Sequence, residues 1–236
     1  MAVRPSWRVM KTQEFLKIVK DNFEFKFNPG FSVVQKRKNV IALHQVIGDK
    51  ALEVSTKSEE ELGRSLSAFN LKIKGIPLEC VFQASKVYQF GGPYKDLLKA
   101  SPKDAKRDER HKSSGKLIYF EYEGNKFPLE PKTFFYDWLY IKAVKESIKP
   151  DFLKNIIQYS YFTDIEFNPK RSINCQAKTV AIIKAMLMVF GKIPDVDNIK
   201  DFRKFYKVIQ AENAWITKES PNLFGRFFCN IKNQKE

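Results

Sequence analysis

Residues 133–148, TFFYDWLYIKAVKESI, constrain the fold of this 236-residue chain more than any other segment. At helical spacing, Phe134 and Trp138 share one side of this segment and Phe135 lies on another. A helix that is aromatic on nearly every side must be covered on nearly every side, which predicts a central helix at the core. Trp138 and Tyr136 either belong to that core or form a wall for a flat ring such as a base, and the pattern leaves both interpretations open.

Two β-hairpins are predicted around this helix. Residues 117–123, LIYFEYE, alternate in polarity and are followed by a Gly-Asn turn at 124–125. Residues 23–27, FEFKF, also alternate, and the turn NPG at 28–30 predicts a return strand that begins at Phe31.

Helices and single strands account for most of the remaining chain. Residues 11–20 are predicted as a short helix, with an extended segment as the alternative, and Ser58 with Glu61 forms a capping box for a helix at 59–64. Further helices are predicted at 39–47, from Pro150, at 173–190 and at 194–214, with strands at 51–56 and 71–73. The expected fold is α+β, a single helix-rich domain with small antiparallel hairpins. Its expected parts are an N-terminal strand and hairpin extension at 1–57, a core at 58–191, and a C-terminal helix and tail at 192–236 that pack on the core.

The excess of basic residues indicates a partner that carries phosphate. The chain has 42 Lys and Arg against 27 Asp and Glu, a formal net charge of +15, and such a surface favours nucleic acid or a dinucleotide. Three widely spaced cysteines and two histidines predict neither a disulfide framework nor a metal site, and no cofactor is expected. Without an apolar run long enough for a membrane span or a signal peptide, we expect a cytoplasmic protein with no membrane partner.

The densest group of candidate site residues lies at 67–92. A helix that begins at Pro77 and continues to Gly91-Gly92 is predicted there. The residues that would share one face of this helix are Glu79, Phe82, Gln83 and Lys86. Glu79 has apolar neighbours, and a half-buried carboxylate can do acid–base work. The same spacing is also typical of a solvated helix face.

This stretch resembles the NADAR family. The matching residues are Phe69-Asn70, Lys74-Gly75, Glu79-x-x-Phe82-Gln83-Ala84-x-Lys86 and Ala105-Lys106-x-x-x-Arg110. Cys80, Val81 and Glu109 depart from the family pattern, and its later Asp-x-x-Trp-Gly has no clear counterpart, which indicates a divergent member. The resemblance spans roughly residues 60–190. It implies cleavage of an N-glycosidic bond, because family members act on early riboflavin intermediates or remove ADP-ribose from guanine in DNA and so undo a transferase toxin.

A second group of basic candidates follows the central stretch. Ser101, Pro102 and Asp104 predict the start of a short helix. Lys106 and Arg110 then either lie on a solvated surface or contact a pyrophosphate, for which a helix start with cations is well suited.

A pair of acidic residues precedes the long C-terminal helix. Asp164 and Glu166 lie two apart in a segment that resembles the family's Val-Glu-x-Ser-Pro active-site run, and they would face the same way. Carboxyl groups on one face can divide acid and base duties. Alternatively, Asp164 caps a turn and Glu166 pairs with Lys170 or Arg171. Asn174 and Gln176 are expected either to bind ligand or to cap the helix.

The resemblance implies a hydrolase of an N-glycosidic bond, most directly one that removes ADP-ribose from a nucleobase such as guanine in DNA. The principal carboxylate is then Glu79, with Asp164 or Glu166 as its partner. The expected ligand contacts are Asn70, Gln83, Lys86, Lys106, Arg110, Trp138, Asn174 and Gln176. Expected partners are ADP-ribose or a related phosphoribosyl ligand, single-stranded DNA and a toxin. Two alternatives stay open, a non-catalytic basic module that binds nucleic acid or nucleotide, and an N-glycosidase of a phosphoribosyl metabolite such as a riboflavin intermediate.

Overall fold

The computed structural model describes residues 1–11 and 16–210. Its strands are β1 (Ala2–Lys11), β2 (Leu16–Phe25), β3 (Ala51–Glu53), β4 (Lys72–Ile73), β5 (Ile76–Pro77), β6 (Lys86–Tyr88), β7 (Leu117–Tyr122), β8 (Asn125–Phe127) and β9 (Tyr161–Thr163). Its helices are α1 (Val33–Ile47), α2 (Glu61–Ser65), α3 (Leu78–Ala84), α4 (Pro102–Arg107), α5 (Arg110–Ser113), α6 (Phe134–Ser147), α7 (Pro150–Lys154), α8 (Gln176–Phe190) and α9 (Ile199–Gln210). This mixture of helices and small sheets confirms the α+β prediction.

Helix α6 lies at the centre of the core, as its aromatic composition predicts. Phe134, Phe135 and Trp138 are buried. The ring of Phe135 stacks on Phe120 of β7 at 4.6 Å between centroids, and Phe127 of β8 lies 4.7 Å from Trp138. The predicted hairpin at 117–127 is therefore confirmed and covers one side of α6.

A four-stranded sheet in the order β2-β1-β9-β3 covers another part of the core. Strands β1 and β2 pair antiparallel along their full lengths. Strand β9 is antiparallel to β1 and parallel to β3. Because β9 ends at Thr163, Asp164 is the first residue after this strand.

The N-terminal predictions need two corrections. Residues 16–20 of the predicted helix at 11–20 belong to β2, where Leu16 and Ile18 alternate into the core as a strand requires. The expected return strand at Phe31 is wrong, because Phe23 and Phe25 pair with β1 and the chain turns into helix α1. Ser32 caps α1 by accepting a hydrogen bond from the Gln35 amide at 3.2 Å.

The central stretch also departs from prediction in its second half. Helix α3 begins after Pro77 as expected but ends at Ala84, well before Gly91-Gly92. Strand β6 follows at once and pairs antiparallel with β7, so that Lys86 lies opposite Phe120. Lys86 is therefore not on the helical face that carries Glu79.

Predictions for α4, α8 and the described part of α9 are largely confirmed. Ser101 caps α4 by accepting from the Asp104 amide at 3.2 Å. Helix α8 starts three residues later than expected, at Gln176, and ends at Gly191, which takes the left-handed conformation with φ 69°. Helix α9 buries Phe202 and Tyr206 in the main core.

The division of the chain at 57 and 191 stays a prediction, and the tail that follows α9 lies outside the described residues. Within the described ranges, no helix is long and apolar enough to cross a membrane.

Helix α2 packs closely on β3, and the capping box is not formed. Ser58 accepts from the Glu60 amide at 3.2 Å, one residue before the helix begins. Gly63 lies where a Cβ atom would collide with the carbonyl oxygen of Glu53 and the hydroxyl of Ser58. Only glycine fits at this contact.

We expect Gly63→Ala to lower the free energy of unfolding by about 2 kcal/mol, because the backbone of β3 must move to accept the methyl group. Urea denaturation measures the change. Gly75→Ala is the control, because Gly75 has φ +80° but no neighbouring atom of the described residues within 4 Å of its Cβ position, so only backbone strain of about 1 kcal/mol remains. An equal loss in both variants would contradict the steric explanation.

Candidate active site

An open cleft of about 760 Å³ brings most of the predicted site residues together. Helices α3, α4 and α6 contribute to its walls, together with the segments before α1, before β4 and before α8. The predicted residues that line it are Glu79, Gln83, Lys106, Asp164, Glu166, Asn174 and Gln176. Chain segments far apart in sequence thus converge on one concave surface.

Helix α3 supplies a carboxylate and an amide to the cleft. Gln83 Nε2 donates a hydrogen bond of 2.7 Å to Glu79 Oε1 one helical turn away. The other atom of that amide, Gln83 Oε1, is buried and has no donor among the described residues. A buried acceptor without a donor is costly, so it suits a hydroxyl or N–H group of a ligand.

Asp164 is the most deeply buried carboxyl group of the cleft, with 6% of its surface exposed. Burial raises its pKa well above the ordinary value, and the nearby charge of Glu53 raises it further. Hydrogen bonds from the Gln176 side chain and from the Glu166 amide, the latter at 3.1 Å, oppose this shift. Asp164 is therefore suited to hold a proton at neutral pH.

Glu53 lies behind Asp164 and outside the cleft. It accepts hydrogen bonds from the hydroxyls of Ser55 and Thr163, both at 2.6 Å, and from the Ile165 amide at 2.9 Å. Burial also raises the pKa of Glu53, although these three donors oppose the shift. Glu53 thus holds the side chain of Thr163 and the backbone amide of Ile165, the two residues that flank Asp164 in the chain.

We expect Asp164→Asn to change the pH dependence of stability. A carboxyl group whose pKa is raised by folding stabilises the native state at low pH and loses that contribution as pH rises through the folded pKa. The wild type should therefore lose stability above the ordinary Asp value of 3.8 relative to the variant, which stays neutral. Urea denaturation of both proteins at about pH 5, 7 and 9 measures this difference. A difference that does not change with pH would contradict the buried neutral acid.

Tyr136 places a phenol near both carboxyl groups. Its ring is buried, and burial raises its pKa well above the ordinary value, with the charges of Glu79 and Asp164 adding to the shift. The hydroxyl therefore stays protonated and is a hydrogen-bond donor in the cleft. Tyr136 belongs to the main core and also lines the cleft, and its role as a wall for a flat ring stays a prediction.

The mouth of the cleft is lined by cations. They are Arg4, Lys36, Lys106 and Arg171. Glu166 is exposed here and forms an ion pair of 2.8 Å with Lys36, rather than with Lys170 or Arg171. Glu166 thus lies in a solvated ion pair at the rim, whereas Asp164 is enclosed.

Four predicted ligand contacts are not among the residues that line the cleft. Trp138 belongs to the core and donates to the carbonyl of Val196 at 2.8 Å, and Asn70 donates to the carbonyl of Arg64 at 2.7 Å. Lys86 lies over the ring of Phe82 at 5.3 Å, where burial lowers its pKa.

Arg110 is the fourth of these residues and serves a structural role. Its guanidinium donates to Asp96 at 2.6 Å and to Asp108 at 2.8 Å. It also lies 4.3 Å from the centre of the Tyr94 ring. The positive charge of Arg110 is thus paired with two carboxylates of the protein, and these contacts hold α5 against the preceding loop.

Several residues of the N-terminal region line the cleft but were not predicted as site residues. They are Arg4, Phe27, Phe31, Lys36 and Asn39. No local pattern marks them as cleft residues, because β1 and α1 approach Asp164 through contacts that are distant in sequence, such as the pairing of β1 with β9 and the ion pair of Lys36 with Glu166. Glu53 was detectable in principle as a lone acid in a strand that is otherwise apolar, and Phe69 stood in the motif without an assigned role.

Comparison with known proteins identifies a family for this chain. A search of curated proteins returned no significant match. The family model NADAR-DarT1, described as DarT1-associated NADAR antitoxin, matches residues 2–216 and so includes Glu79, Asp164 and Glu166. The chain therefore belongs to the NADAR-DarT1 family.

Proposed function

We propose that the chain hydrolyses the N-glycosidic bond between ADP-ribose and a nucleobase, with guanine in DNA as the expected base. The observation that supports this most is the placement of a buried acid, Asp164, and a second carboxyl group, Glu79, in one cleft. The DarT1 association of the family makes DNA modified by a toxin the expected substrate and the toxin the expected partner.

The two carboxyl groups suit the two halves of the reaction. Asp164 donates its proton to the base nitrogen as the C1′–N bond breaks and its electron pair moves to that nitrogen. Glu79 stabilises the positive charge on the ribose and takes a proton from the water that attacks C1′. The products are ADP-ribose and the unmodified base. Glu166 is the weaker candidate for the acid, because it is exposed at the rim in an ion pair with Lys36, whereas Asp164 is enclosed.

Polar groups of the cleft match the rest of the substrate. The unpaired acceptor Gln83 Oε1 suits a ribose hydroxyl, and Asn174 lies on the same surface. Lys106 and Arg171 provide charge for the pyrophosphate. No step of this scheme assigns a role to Lys86, Arg110, Asn70 or Trp138.

The test is release of ADP-ribose from a single-stranded DNA oligonucleotide that carries ADP-ribosylated guanine. We expect wild-type protein to yield free ADP-ribose and an intact unmodified strand, both identified by mass spectrometry. Tight binding of the modified strand without release would favour the non-catalytic binding module. Release confined to a phosphoribosyl metabolite would favour the metabolite glycosidase.

A further inference from the structure

Three exposed phenylalanines surround the mouth of the cleft. Of the four phenylalanines that are exposed among the described residues, Phe27, Phe31 and Phe69 line this cleft and Phe90 does not. Phe31 is 97% exposed and Phe69 is 68% exposed. Burial of such a ring would contribute about 1.5–3 kcal/mol of favourable free energy, which an exposed ring does not gain. Exposed apolar groups that gather beside a polar cleft indicate contact with a partner.

Hydrogen bonds fix the two loops that carry these rings. The Asn28 amide donates to Asn39 Oδ1 at 2.7 Å, and Asn39 Nδ2 donates back to the Asn28 carbonyl at 2.9 Å. On the other loop, the Ala68 amide donates to Gln176 Oε1 at 2.8 Å. These hydrogen bonds fix the backbone at Asn28 and at Ala68, close in the chain to Phe27, Phe31 and Phe69.

Aromatic rings and cations together match single-stranded nucleic acid. Unpaired bases stack on exposed aromatic side chains, with about 1–3 kcal/mol per base, while cations contact the phosphates. Arg4, Lys106 and Arg171 line the same cleft. In a duplex the flanking bases are already stacked and paired, so they are not available to protein rings.

We propose that Phe31 and Phe69 stack on the bases that flank the modified nucleotide and make the protein selective for single-stranded DNA. This inference rests on the proposed function in naming the modified nucleotide. The stacking itself is independent of catalysis, because both rings lie at the mouth and the carboxyl groups lie inside.

The test uses an unmodified, fluorescently labelled single-stranded DNA oligonucleotide and measures its dissociation constant by anisotropy. We expect Phe31→Ala and Phe69→Ala each to weaken binding about tenfold. The dissociation constant of Phe31→Tyr should be close to that of wild type, and that of Phe31→Leu should be close to that of Phe31→Ala. Phe90→Ala is the matched control, since Phe90 is 73% exposed but lies away from the cleft. Duplex of the same sequence should bind more weakly than the single strand.

Failure of this inference and failure of the proposed function are distinguishable. Wild-type affinity in both alanine variants, or full affinity in Phe31→Leu, would overturn base stacking, as would equal affinity for duplex and single strand. If the alanine variants lose affinity but wild type releases no ADP-ribose, the stacking sites stand and the glycosidase proposal falls. If release occurs, Phe31→Ala should raise KM for a modified oligonucleotide and leave that for a modified nucleoside unchanged.

Discussion

Glu79→Gln is expected to reduce the rate of ADP-ribose release by at least about 10³-fold while ADP-ribose still binds. The substituted amide has nearly the shape of the carboxyl group, and its oxygen can still accept the hydrogen bond that Gln83 Nε2 donates to Glu79 Oε1. The variant lacks the negative charge that stabilises the ribose cation and the basic oxygen that takes the proton of water. Single-turnover release and equilibrium binding of ADP-ribose, measured on the same preparation, separate the two effects.

Glu166→Gln is the matched control for this experiment. Glu166 lines the same cleft but is exposed and paired with Lys36 at 2.8 Å. An exposed ion pair contributes about 1 kcal/mol or less, so we expect release to fall by less than about tenfold. Equal losses in both variants would contradict the assignment of Glu79, and a larger loss in Glu166→Gln would transfer the role to Glu166.

Local sequence patterns were sufficient to predict the candidate site residues that lie on α3 and directly after β9. Glu79 and Gln83 are four residues apart on a helix whose start is marked by Pro77, so their contact follows from helical geometry alone. Asp164 was also predicted from its local segment, which is extended, and it follows strand β9 in the structure. The distinction between Asp164 and Glu166 could not be predicted, because it depends on burial against Glu53 and on the ion pair with Lys36, both distant in sequence.

Long-range strand pairing explains the errors. The predicted helix at 77–92 ends early because residues Lys86–Tyr88 pair with β7, whose residues lie 29 to 34 positions later in the chain. In place of the helix predicted at 11–20, residues 16–20 form part of a strand, because they pair with the ten-residue strand β1. Helical and extended patterns are hard to separate in short apolar runs when the partner is not known.

We expect Asp137→Ala to lower the free energy of unfolding by about 3–5 kcal/mol, because it leaves the Lys178 ammonium buried without its counter-charge. Asp137 is fully buried on α6. Its carboxylate accepts from the Thr179 hydroxyl, from Tyr206 of α9 at 2.5 Å and from Lys178 at 3.3 Å. This cluster therefore joins α6, α8 and α9, and urea denaturation measures its contribution.

Two further variants test the explanation. Asp197→Ala removes an exposed carboxylate that pairs with Lys142 at 2.6 Å, and we expect a loss of about 1 kcal/mol or less. The double variant Asp137→Leu with Lys178→Met removes both buried charges, so it should recover much of the stability that Asp137→Ala loses. If the double variant is as unstable as Asp137→Ala, the loss comes from the hydrogen bonds that Thr133, Thr179 and Tyr206 donate to Asp137 rather than from the unpaired ammonium. In that case α9 is held to the core by the hydroxyl groups and not by the ion pair.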